Sequence, residues 1–175
     1  VEPVHADAPD NVLLERRFEA GDVTAALAAS AVVVRRTLTS NRQAGNPLEC
    51  RVGVALWEEA DRKLTYWAGS QSPHLLRNAL SDLLELPESS IRVIAPDVGG
   101  GFGTKSAVYP EDIALCLVAR RMPGIAVKWV EDRVEHIQAA THARDHRYVL
   151  EAGFAADGEL LALRADVTCN AGAYS

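Results

Sequence analysis

The sequence predicts an α+β domain: a mixed sheet with hairpins and two or three packed helices. Three observations carry that reading. Short apolar runs at 52–57 and 64–68, and again within 146–169, pair as hairpins, the second joined by Ala156-Asp157-Gly158, a strong turn signal. Two helical segments open on proline, at Pro73 and Pro110. Strand-like runs at 90–96 and 124–131 follow those helices, so hairpins and crossovers alternate, which disfavours a purely doubly wound sheet.

Taken in order, residues 1–20 are polar at the start and read as an arm or linker, and residues 21–175 as the folded part. Asp22 can cap the alanine-rich segment "DVTAALAAS". "AVVVRRTLT" is β-branched and reads as a strand, and "SNRQAGNP" is turn chemistry. In "SQSPHLLRNALSDLLEL", Ser72 is the expected cap, Pro73 sits at the first helical position, and Leu75, Leu76, Ala79, Leu80, Leu83 and Leu84 recur at helical spacing. Pro87 ends that helix. The strand "SIRVIAP" runs straight into a glycine cluster. "YPEDIALCLVARRM" carries Glu111 and Asp112 in its first turn and Arg120 and Arg121 in its last, as the helix dipole favours. "DRVEHIQAATHARD" reads as a short helix and an irregular stretch. The chain stops at "NAGAYS" directly after a strand, so the expectation is a piece of a longer protein.

Apolar residues make up 48% and charged residues 24% of the 175, which excludes a disordered or fibrous chain. The balance of 18 basic and 24 acidic residues, net −6, argues against nucleic acid as a partner. No apolar run approaches the roughly 18 residues of a membrane span, and no secretory leader opens the sequence, so a cytoplasmic location is expected. Cys50, Cys116 and Cys169 form no CxxC and are expected to be buried free thiols.

The chemistry concentrates in "PDVGGGFGTKSAVYPED", residues 96–112, with Gly99, Gly100, Gly101 and Gly103 around Phe102. A dinucleotide fingerprint fails because its sixth position falls on Thr104 or Ser106, and a Walker loop fails because no glycine directly precedes Lys105. Two readings stay open: a nest of backbone N–H groups before a helix start, suited to an anion or polar cofactor, or a tight turn made for strand–helix packing. Gln71, between a strand end and a helix, either presents its amide to a ligand or satisfies loop carbonyls. Glu49 is expected to hold a loop in place. His142 and His146 stand four apart but lack the glutamate of a zinc helix, and His5, His74 and His136 stand alone.

"NPLE", "GSQSPH", "RVIAPDVGGGFGTK", "YPEDIALCLVARR", "VKWVEDRVEH", "THARD" and "NAGAYS" follow one another at fitting separations. Together they resemble the molybdenum-binding large subunit of the xanthine dehydrogenase, aldehyde oxidase and carbon monoxide dehydrogenase family, from about residue 30 to the end. The resemblance implies a partial molybdopterin-binding domain over 21–175 and a molybdopterin or molybdopterin cytosine dinucleotide cofactor. It implies FAD and 2Fe-2S clusters on partner subunits or domains, and hydroxylation of a small molecule with oxygen from water. It assigns cofactor contacts to Gln71, Gly100, Gly101, Phe102 and Gly103. The family's glutamate base lies beyond Ser175, so no catalytic residue is expected here and the isolated chain is expected to be inactive. Ser106 stands where purine-oxidising members carry glutamate, which leans the reading toward aldehyde or carbon monoxide oxidation. The alternative is a stand-alone binding or assembly module without catalysis.

Overall fold

A computed structural model describes residues 2–172. The "NAGAYS" motif lies partly outside the described residues. By their internal contacts the residues form two compact units, Val1–Arg42 with Arg144–Ser175, and Gln43–Ala143.

In the first unit residues 2–21 form neither helix nor strand. Asp22 accepts a hydrogen bond from the Ala25 N–H at 2.9 Å and starts helix α1, Val23–Ala29, as its position predicts. Strand β1, Val32–Ser40, pairs antiparallel with the long hairpin that the Asp-Gly turn creates. Gly158, at φ +92°, closes that hairpin. The Ala155 N–H donates to the Glu159 carbonyl at 2.9 Å. Leu27 of α1 is buried against this sheet, where Gly153 leaves room for it. Val32, Leu38, Leu163 and Val167 share the other face by register and stay exposed.

The second unit holds a four-stranded sheet of order β5-β4-β3-β6, made of β3 (Val52–Glu58), β4 (Lys63–Ala68), β5 (Ile91–Ile94) and β6 (Val127–Val130). The predicted hairpin is β3–β4, antiparallel, with Trp57 opposite Leu64. β4 and β5 run parallel, joined by α2 (Pro73–Leu84). α3 (Pro110–Arg121) links β5 to β6. The sheet is therefore mixed and the fold α+β, as the sequence predicts, with four α-helices among the described residues. Short strands β2 (Gln43–Ala44) and β7 (His142–Ala143) pair with each other, and α4 (Arg133–Ala139) precedes β7. β8, His146–Phe154, and β9, Leu160–Cys169, are the strands of the hairpin above.

Leu76, Leu80 and Leu84 of α2 and Leu115, Cys116 and Ala119 of α3 cover the sheet around Leu64, Tyr66 and Ile91. Leu75 and Leu83 are exposed; the buried stripe is the strict i, i+4 row, narrower than the six-residue face read from the sequence. Ser72 holds the cap position without a side-chain cap bond. The expectation of three buried thiols holds only for Cys116: Cys50 is half-buried and Cys169 exposed, because β9 carries Cys169 on the uncovered face of its sheet. Burial, then the nearby Asp112 charge, pushes the Cys116 thiol up to about 12. Among the described residues no helix is long and apolar enough to cross a membrane.

Candidate functional site

Because β4 and β5 are parallel neighbours, the loops that follow them leave the same edge of the sheet. That topology brings Gln71, after β4, against the glycine turn after β5. The two interlock: the Gln71 N–H donates to the Lys105 carbonyl at 2.9 Å. The Gly103 and Lys105 N–H groups donate to Gln71 Oε1 at 3.1 and 3.3 Å. Two donors on one oxygen fix the amide, so the Nε2 group points away from the turn. Gln71 is exposed, and its Nε2 takes no partner among the described residues. The sequence left open whether this amide serves a ligand or the loop. Its oxygen serves the loop, accepting from N–H groups rather than donating to carbonyls, and its nitrogen is free to serve a ligand.

The glycine turn is shaped for close approach. A Cβ on Gly101 would overlap the Gln71 amide, so only glycine fits beneath it. Phe102 adopts a left-handed φ of +53° and is 74% exposed, an uncommon conformation for an aromatic residue that its surroundings must hold. The N–H groups of Gly101 and Phe102 take no partner among the described residues. A nest of donors is therefore present. The helix start expected beside it is not part of it: α3 begins only at Pro110, and the Asp112 carboxylate closes it by accepting from the Tyr109 N–H at 2.9 Å.

Glu49 holds the turn from the other side. Its Oε2 accepts from the Gly99 N–H at 2.9 Å and from the fully buried Lys105 ammonium at 2.6 Å. Burial alone would raise this carboxyl; the Lys105 and Gly99 bonds outweigh it and hold Glu49 below the ordinary glutamate range. A carboxyl lowered on folding adds stability that is fully present above its unfolded value, about 4.3, and is lost as the pH falls through the lower folded value. Denaturant unfolding is accordingly expected to be level from about pH 7 to 5 and to weaken below about 4.3, with a shallower acid slope in Glu49→Gln.

A second buried polar cluster was not legible in the sequence. Arg51 is 5% exposed; its Nε donates to Glu131 Oε1 at 2.9 Å, its Nη1 reaches Glu111 at 3.2 Å, and its guanidinium lies 3.7 Å over the Tyr109 ring. The second Glu131 oxygen accepts from the Arg51 N–H at 2.9 Å and faces His136 Nδ1 at 2.8 Å. His136 Nε2 faces the Gly45 carbonyl at 2.8 Å. Burial would raise Glu131, but the Arg51 bonds and then His136 hold it below the ordinary range. Each ring nitrogen of His136 thus meets an oxygen, so the ring is held on both sides. Cys50 lies close enough that Sγ, carboxylate and imidazole atoms fall within 4.8 Å of one another. Glu131 already accepts from Arg51 and His136 on both oxygens, so this trio is a hydrogen-bonded core rather than a cation site. The contacts that Arg51 and the Gly45 carbonyl make in this cluster span 60 to 91 residues, beyond the reach of a local motif. His142 and His146 fall on different strands, β7 and β8, not on one helix face.

The description of a molybdopterin cofactor-binding domain matches residues 4–175. This chain belongs to that family. The domain is 38% identical over 161 residues to the carbon monoxide dehydrogenase large chain of Afipia carboxidovorans, a match covering 90% of this chain and 20% of that relative. It is 35% identical over 170 residues to the nicotine 6-hydroxylase large subunit of Paenarthrobacter nicotinovorans, covering 97% and 21%. Its fold superposes on quinoline 2-oxidoreductase from Pseudomonas putida 86 with a TM-score of 0.73 at 37% identity, over 83% of this chain and 18% of that one. The aldehyde oxidoreductase of Desulfovibrio gigas shares the fold, with a TM-score of 0.76 at 21% identity. The molybdopterin cofactor-binding domain thus spans about a fifth of the curated relatives it matches.

Proposed function

We propose that this domain forms one wall of the molybdenum site in the large subunit of a molybdenum hydroxylase, with Gln71, Gly100, Gly101, Phe102 and Gly103 facing the cofactor. The observation that carries the reading is a donor set without partners among the described residues: Gln71 Nε2 and the N–H groups of Gly101 and Phe102, around backbone that a Cβ would block. These residues fit a molybdopterin cofactor, whose oxygen- and sulfur-rich metal end accepts hydrogen bonds. When bound, that cofactor supplies the two-electron oxidation of a carbon centre with oxygen drawn from water.

The chain's own residues bind and orient. Gln71 offers an amide donor whose direction is set by the two N–H groups on its oxygen. The Phe102 ring, largely exposed, supplies an apolar surface that keeps water from the donors beside it. Glu49 and Lys105 keep the turn in register beneath them. No side chain here is assigned a proton-transfer role; the base lies elsewhere in the intact subunit, and the isolated chain is inactive. FAD and 2Fe-2S clusters on partner subunits or domains carry electrons away, either pterin form being compatible with this wall. Ser106 in place of a glutamate favours an aldehyde, carbon monoxide or a heterocycle other than a purine as substrate.

Elemental analysis and pterin release test the reading together. The intact protein is expected to carry stoichiometric molybdenum and pterin, and the isolated 175-residue chain essentially none. Intact protein without either component, or an isolated chain that retains both, would contradict it.

A further inference from the structure

The glycine turn makes few bonds of its own. Within it the Gly100 N–H reaches Val98 at 2.9 Å and the Thr104 N–H reaches Gly101 at 3.0 Å, yet Phe102 is held left-handed. The loop 45–49 packs against it. A Cβ on Gly45 would lie 2.7 Å from Thr104 Cγ2 and 3.4 Å from the Phe102 carbonyl oxygen. Pro47 Cβ would lie 3.2 Å from a Cβ on Gly100. Glu49 exchanges bonds with Gly99 in both directions, its N–H donating to the Gly99 carbonyl at 3.3 Å. The loop is a wedge, and its other edge is a row of carbonyls that need donors.

Helix α4 supplies them. Asp132 and Glu135 form a capping box that fixes the first turn of α4, with the Glu135 N–H on Asp132 at 2.8 Å and the Asp132 N–H on Glu135 at 2.9 Å. Arg133 and His136, three apart, then lie on one side of the helix. Arg133 Nη2 donates to the carbonyls of Pro47 at 2.7 Å and Leu48 at 3.1 Å, and His136 Nε2 to that of Gly45 at 2.8 Å. Two side chains of α4 thus grip three carbonyls of one five-residue loop that packs against the glycine turn.

We infer that Arg133 and His136 are positioning residues for the cofactor-facing turn, acting through the loop 45–49 and touching neither cofactor nor substrate. That the turn faces a cofactor rests on the function proposed above; the grip itself does not. Amide exchange of the intact protein prepared without cofactor therefore separates the two, since its outcome is independent of what the turn later binds.

Arg133→Met keeps the aliphatic stem and removes the donors. It is expected to speed exchange of peptides covering 96–106 about ten-fold while those covering α2 and β4 change less than about two-fold. Arg133→Lys, which can still reach one carbonyl, is expected to restore most of the protection. Unchanged exchange in 96–106, an equal rise across the sheet, or no restoration by lysine would each overturn the assignment.

Discussion

Gly101→Ala is expected to lower turnover of the intact protein about 100-fold while the fold survives, because an ångström-scale misplacement of a positioning group costs on this order. The backbone at Gly101 is not left-handed, so alanine is tolerated by its own dihedrals; the nearest conflict is with the Gln71 side chain. That amide cannot yield cheaply. Its oxygen is bound by the Gly103 and Lys105 N–H groups, so moving it strands two backbone donors and turns the Nε2 group off its line. Gly158→Ala is the matched control. It places alanine at φ +92° in an open hairpin turn, with no atom within 4 Å of the new Cβ, at roughly 1–2 kcal/mol of strain. Its thermal midpoint is expected to fall, with turnover unchanged. Steady-state rates and melting curves of the two variants check the pair; a Gly101→Ala protein of near-normal rate would mean that the Gln71 amide does not set the site.

Arg51→Met is expected to cost about 3–5 kcal/mol of stability, read as a drop in the urea midpoint. The substitution leaves Glu131, 2% exposed, without the guanidinium that holds it ionised, and removes the cation from the Tyr109 ring. Arg51→Lys is expected to recover less than half of the loss, since an ammonium cannot bond Glu131 and Glu111 at once and stack on the ring. A loss under about 1 kcal/mol in Arg51→Met would mean that the pair behaves as a surface salt bridge.

Local chemistry is what the sequence made legible. Asp22, Pro73, Pro110 and the Asp-Gly turn each mark an element where the structure has one, because caps and turns are decided within four residues. The glycine cluster and Gln71 stood out for the same reason, and Glu49 could be assigned to holding a loop from its place before a strand. The pairing of β1 with β8 was not legible, since its partners lie over a hundred residues apart and alternate no differently from other strands. Nor was the Arg51–Glu131–His136 cluster, whose members look like ordinary surface charges until the fold buries them. The helix start at Pro110 was legible too, but not that the Asp112 carboxylate caps it and so separates it from the glycine nest.

A crystal structure of the intact protein with its cofactor bound tests the central claim most directly. The account predicts Gln71 Nε2 within hydrogen-bonding distance, about 3 Å, of the metal end of the cofactor, with the Gly101 and Phe102 N–H groups turned toward the same group. A cofactor seated elsewhere, with Gln71 and residues 100–103 packed only against protein or solvent, would contradict it.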